Sequence, residues 1–295
     1  DPRACPRAPP SRPHTPSFPL LSVKLRMRSV QNIQKITSAM KMVAASKMRV
    51  AQAATEVSRG LARPLLRILG DTPDADVEKN LTVAITTDKG LCGGINSAVT
   101  KYSRAASKAA AGTAEGKVME YVVVGEKGKS QLQRTDAASI AATVADVAKV
   151  RTTFGVASAV AEILLKTEYD AARIVFNRFV SAIAFKPTVA TVLSPAALER
   201  AAAEGGSLDA YEIEGPDRAE LLQDLAEFGL AATLYNCLLE NSCSEQAARM
   251  SAMESSTKNA SEILAALTLK YNRSRQSAIT TELIEIISGA AALEG

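Results

Sequence analysis

Residues 217–293 read DRAELLQDLAEFGLAATLYNCLLENSCSEQAARMSAMESSTKNASEILAALTLKYNRSRQSAITTELIEIISGAAAL, a stretch without a single proline. Leu221, Leu225, Phe228, Ala232, Tyr235 and Leu239 step by four and three. After a polar middle the rhythm resumes at Met250, Met253, Thr257, Ala260, Leu264, Leu267 and Tyr271. Alternating steps of this kind are heptads, the seam of a coiled coil. At ~1.5 Å per residue an unbroken helix here would reach ~115 Å. Gly229 is the place where it could loosen.

A partner for that seam lies near the other end of the chain. Over residues 22–70, apolar side chains recur at Val30, Ile33, Ile36, Met40, Val43, Ala44, Met48 and Ala51, the spacing of one helical stripe. Pro64 is the only proline inside, and Gly70 with Pro73 ends the pattern. Two long amphipathic helices at opposite ends of one chain bury their stripes most simply against each other, antiparallel. Each fully buried Leu or Met there contributes roughly 1.5–3 kcal/mol.

The middle block alternates strand-like and helix-like stretches. Residues 81–86 (LTVAIT) and 120–124 (EYVVV) read as buried strands followed by Gly-containing turns, and 172–179 and 189–193 supply two more. Residues 97–111 and 153–167 read as helices. Strands alternating with helices imply a mostly parallel sheet flanked by helices. The expected fold is therefore α/β: a long antiparallel coiled coil of N- and C-terminal helices with an inserted Rossmann-like, mostly parallel sheet domain. The expected divisions are 1–21, a Pro- and Arg-rich disordered arm or targeting remnant; 22–77, the N-terminal helix; 78–205, the sheet domain; and 206–295, the C-terminal helix.

Composition fits this plan. Hydrophobic residues make up 47% but aromatics only 4%, without Trp, so the apolar share is mostly Ala, Leu, Val and Ile, which suits long helices. The net charge of +4 is a mild basic excess, and the basic residues are spread out with few aromatics among them, unlike a nucleic-acid footprint. Residues 24–49 are locally basic without any acid. Such a face suits an acidic protein partner, a phosphate or anionic lipid, with a solvated helix face as the lesser alternative. No run of 18 apolar residues exists to span a membrane.

Several motifs imitate an enzyme. VGEKGKS (residues 124–130) lacks the first glycine of a phosphate-binding loop, because Val123 stands five before Gly128. DKGLCGG (residues 88–94) lies between a strand and a helix but is not G-x-G-x-x-G; close helix–strand packing explains its glycines. Cys92 has no histidine in the folded region to activate it, since His14, the only one, lies in the tail. Glu282 and Glu285 sit three apart on one helix face, which more often means solvation than catalysis. Cys5, Cys92, Cys237 and Cys243 lack metal-ligand spacing. No catalytic, cofactor-binding or metal site is expected. A nucleotide-binding enzyme and a coiled-coil scaffold at a membrane surface are the rival readings. The first predicts nucleotide binding by the isolated chain, the second liposome binding without partners.

VQNIQKITSAMKMVAASKMRVAQ (residues 30–52), TTDKGLCGGINSAV (86–99), SEQAARMSAMESSTKNASEIL (244–264) and LTLKYNRSRQSAITTELIEIISGAAAL (267–293) resemble, in order, the N-terminal helix, first turn and C-terminal helix of ATP synthase gamma subunits. The resemblance implies a non-catalytic rotor shaft, without cofactor, inside three pairs of alternating catalytic and non-catalytic head subunits. Its foot would meet a membrane c-ring and small stalk subunits of the delta and epsilon type. By the family's pattern, Arg275 and Gln276 would contact a catch loop of a catalytic subunit, and Met40 and Lys41 its moving C-terminal domain. Lys89, Lys101 and Arg104 would form a basic patch against an acidic lever, with Arg where the family often has Lys. Tyr211 and Glu212 would fall at the rotor foot. The uncharged tip IISGAAAL (286–293) would turn in an apolar sleeve. Plastid members carry an inserted regulatory cysteine pair for which residues 179–217 are too short. With the Arg- and Pro-rich tail, this favours a peripheral protein of the mitochondrial inner membrane, matrix side, over a plastid one, with the bacterial plasma membrane as the lesser alternative.

Overall fold

The computed structural model describes residues 17–69, 77–111, 118–147, 151–203 and 217–294. The chain divides into two units, residues 1–39 with 254–295, and residues 40–253.

Two helices contribute to both units: α1 (Ser17–Leu69) and α6 (Arg218–Glu294). α1 starts at Ser17, inside the segment expected to be an arm, and continues through Pro64. In the first unit the helices pair antiparallel. Gln34 Nε2 donates to Ser261 Oγ at 2.7 Å, and Thr257 Oγ1 to Thr37 Oγ1 at 2.8 Å. On α6 the less exposed positions include Thr257, Ala260, Leu264, Leu267 and Tyr271, the heptad positions. On α1 they are Leu20, Val23, Met27, Val30, Gln34 and Thr37. Ile33 and Ile36, expected in the stripe, are instead 49% and 58% exposed. The seam follows the 3.5-residue period even where this places Gln34 and Thr37 inside and leaves isoleucines outside. Polar seam positions of this kind fix register at some cost in stability.

The second unit is built on a five-stranded sheet of order β3-β2-β1-β4-β5. Its strands are β1 (Lys79–Ile85), β2 (Val118–Val124), β3 (Ile140–Val144), β4 (Ala171–Phe179) and β5 (Phe185–Leu193). β1 lies parallel to β2 and β4, β2 is parallel to β3, and only β5 is antiparallel, joined to β4 as a hairpin. β1 and β4 are buried along nearly their whole length, which explains their continuous apolar runs. β3 was not expected from sequence. Its IAATV is alanine-rich and its alternate residues are exposed at the sheet edge.

Helices α2 (Ile95–Ala111) and α3 (Glu126–Leu132) cover one face, where Val99 and Leu132 meet Ala84, Val123 and Val175. The other face packs on α4 (Phe154–Leu165) and on α6, whose Leu230, Leu234 and Leu238 join Val83, Ile85, Val122 and Ile174. The short helix α5 (Pro195–Ala203) closes a smaller cluster with Leu222. α6 is thus enclosed broadly here, not along one stripe. Leu222, Leu230 and Leu234 are fully buried, while Leu221 and Phe228, expected in the seam, are 38% and 45% exposed. Gly229 does not loosen the helix. A Cβ there would lie 2.4 Å from Leu69 Cδ1, so the glycine makes room for the end of α1.

Candidate functional site

The polar middle of α6 is where the helix is tied to the sheet. Glu240, 2% exposed, accepts from Arg59 Nε and Nη2 on α1 and from the backbone N–H of Phe179 at the end of β4. Arg59 Nη2 also donates to Phe179 O at 2.8 Å. One residue on, Asn241 Oδ1 accepts from Asn177 Nδ2 at 3.1 Å, and Ser244 Oγ donates to Asn177 O at 2.9 Å. Three elements therefore share one hydrogen-bonded cluster. Sequence reading passed over Arg59, Asn177, Glu240 and Asn241, although ENS interrupting an apolar run was a visible signal.

The DKGLCGG turn joins β1 to α2. Leu91 and Gly93 adopt positive φ, 62° and 63°. Asn96 holds the turn: its Oδ1 accepts from Thr87 N at 3.0 Å and its Nδ2 donates to Thr87 Oγ1 at 2.9 Å. Lys89 is exposed on this turn. Cys92 is buried beneath it, and burial pushes its thiol above the ordinary value, the opposite of an activated nucleophile.

VGEKGKS forms the end of β2 and the start of α3. Its glycines are occupied by Thr86. Gly128 N donates to Thr86 Oγ1 at 3.0 Å, and a Cβ on Gly128 would lie 2.4 Å from that oxygen. The backbone groups and space that a phosphate cradle needs are taken up by threonine packing. The glycines serve the contact between β1 and α3.

Lys101 is exposed on α2, whereas Arg104 is half-buried and engaged internally. Its Nε donates to Asp136 Oδ2 at 3.0 Å and its Nη2 to Gln131 O at 3.3 Å. Lys89, Lys101 and Arg104 belong to one β1–α2 crossover in the second unit, where Met40 and Lys41 also lie, half-buried on α1. Arg275 and Gln276 are exposed on α6 in the first unit, followed by exposed Ile279, Leu283, Ile284, Ile286 and Ile287. Tyr211, Glu212, Cys5 and His14 lie outside the described residues. Among the described residues no cluster of His, Cys, Asp or Glu could hold a metal ion, and no helix is long and apolar enough to cross a membrane.

One unit pairs two long helices antiparallel, and the other is built on a mostly parallel sheet with helices on both faces. The family model described as ATP synthase matches residues 20–293. The mitochondrial ATP synthase subunit gamma of Ipomoea batatas is 54% identical over 278 residues, covering 92% of this chain and 85% of that protein. The ATP synthase gamma chain of Cereibacter sphaeroides is 42% identical over 296 residues, covering 93% and 99%. Among solved structures, a chain of the central stalk and c-ring of Tetrahymena thermophila mitochondrial ATP synthase matches at a TM-score of 0.60 and 30% identity. It covers 75% of this chain and 98% of that one. A chain of the Euglena gracilis mitochondrial enzyme shares the fold at a TM-score of 0.81 and 22% identity, covering 94% and 95%. The chain belongs to the ATP synthase gamma-subunit family, a non-catalytic subunit of that complex.

Proposed function

We propose that the chain is the central rotor stalk of a proton-translocating ATP synthase, carrying torque between a membrane c-ring and the catalytic head at the matrix side of the mitochondrial inner membrane. The observation that carries this reading is the antiparallel pairing of α1 with α6, pinned by Gln34–Ser261 and Thr37–Thr257. Two wound helices resist bending and twisting far better than one. The mitochondrial relatives, 54% and 53% identical, support the compartment.

Magnitudes decide how such a stalk acts. Driving a catalytic subunit from 1:99 to 99:1 between two conformations takes about 5.5 kcal/mol. An exposed ion pair contributes roughly 0–1 kcal/mol. Charge contacts through Lys89, Lys101 or Arg104 therefore bias the cycle without driving it, and a stiff asymmetric body that sterically excludes one conformation at each angle supplies the rest. Met40, Lys41, Arg275 and Gln276 are assigned to the head on the same reading, and Tyr211 and Glu212 to the foot. Replacing Leu264 by proline in the assembled complex tests the reading, because a proline inside a helix breaks or kinks it. ATP hydrolysis should continue while proton pumping is lost. Normal coupling in that variant would overturn the stalk assignment.

A further inference from the structure

The second unit contains an open cavity of about 340 Å³, at the lower end of the range for small-molecule sites. It lies at the carboxyl ends of β1 and β2, between them and the overlying α1 and α6.

Its walls are mostly apolar, with Val50 and Ala54 from α1, Leu238 from α6, and Val124 and Val147 from the sheet side. Two cations line it, Lys47 and Arg151. Among the described residues neither makes a hydrogen bond or ion pair. The two carboxylates on the wall are already engaged. Asp88 Oδ1 accepts from the backbone N–H groups of Glu126 and Asp146, and Glu245 accepts from Arg249. The cavity thus pairs a mostly apolar wall with two exposed cations that have no partner among the described residues, beside the hydrogen-bonded carboxylate of Asp88. An uncharged ligand would leave both cations unused, and a bare inorganic anion would leave the apolar wall uncovered. The neighbouring VGEKGKS loop offers no phosphate cradle, because Thr86 fills it.

We infer that this cavity binds a small amphipathic anion, a carboxylate on a short apolar body, with the carboxylate held by Lys47 and Arg151. Such a ligand would bridge α1, α6 and the sheet, a role separate from any contact with the catalytic head.

Octanoate, octanol and inorganic phosphate, titrated calorimetrically into the full chain, test it. Octanoate should bind once per chain, at least tenfold more tightly than octanol or phosphate. The combined Lys47→Gln and Arg151→Gln substitutions should weaken it at least tenfold with the melting temperature unchanged. Ala54→Phe, which fills the space, should abolish it; Val50→Phe, at a more exposed wall position, repeats the test should the first variant fail to fold. Phosphate binding as tightly as octanoate, no octanoate binding, or binding indifferent to these variants would overturn the inference.

Discussion

Arg59 on α1 and Glu240 on α6 form a two-pronged ion pair whose carboxylate also caps the backbone N–H of Phe179. The two ends are unequally buried, with side-chain exposures of 23% and 2%. Removing Arg59 strands a buried carboxylate, whereas removing Glu240 leaves a guanidinium that can reach water. Arg59→Met should therefore cost more than Glu240→Leu, about 2–4 kcal/mol after allowing for partial exposure. The double variant should recover part of that loss. Urea unfolding of the three variants measures it, and equal single costs would contradict the stated asymmetry.

Gly128 and Gly94 offer a matched contrast. An added Cβ meets Thr86 at 2.4 Å in the first case and nothing within 4 Å in the second. Gly128→Ala should destabilise by about 1–3 kcal/mol through overpacking, while Gly94→Ala should fall within about 0.5 kcal/mol of the parent. Thermal unfolding distinguishes them.

Alkaline pH should weaken the fold through two buried groups. Burial pushes the Cys243 thiol up to about 12 from 9.0, and the Tyr169 phenol up to about 12 from 10.0. The folded state holds these protons more tightly than the unfolded chain, so the stabilisation is complete below the ordinary values and is lost as pH rises toward 12. Cys243→Ala and Tyr169→Phe should each flatten the fall in unfolding free energy above pH ~9. The same burial predicts that iodoacetamide at neutral pH modifies Cys92, Cys237 and Cys243 only after denaturation.

Lys101 and Arg104 should separate in the assembled complex. Arg104→Gln breaks the link to Asp136 and should cost up to about 1 kcal/mol of chain stability. Lys101→Gln should leave stability unchanged. Substantial coupling should survive both together, and complete uncoupling of hydrolysis from proton movement would overturn the steric account of torque.

The helical ends and central strands were legible because each carries its own period over many residues. The heptads at Thr257, Ala260, Leu264 and Tyr271 mark the side of α6 that is buried in the first unit. β1, β2 and β4 announced themselves as apolar runs. Burial on several sides has no period, so the enclosure of α6 around Leu230 and Leu234 was hidden, and its seam was misplaced onto Leu221 and Phe228. On α1, isoleucines drew the stripe toward Ile33 and Ile36, whereas geometry chose Gln34 and Thr37. The glycine motifs illustrate the reverse difficulty. Their spacing argued against phosphate binding, but that Thr86 fills the space is a tertiary fact no local pattern states. Arg59 and Glu240 stand 181 residues apart, and only the fold brings them together.

The wall that α6 supplies to the sheet has a consequence for biosynthesis. Val83, Ile85, Val122 and Ile174 are covered by Leu230, Leu234 and Leu238, which emerge from the ribosome only after every strand has been made. Until then the nascent sheet presents an apolar face that α4 covers only in part, a species prone to aggregation. Closing it requires contacts between residues far apart in sequence, which slows folding. Maturation of this chain should therefore depend on chaperone protection during a defined window, one that ends when the last helix docks.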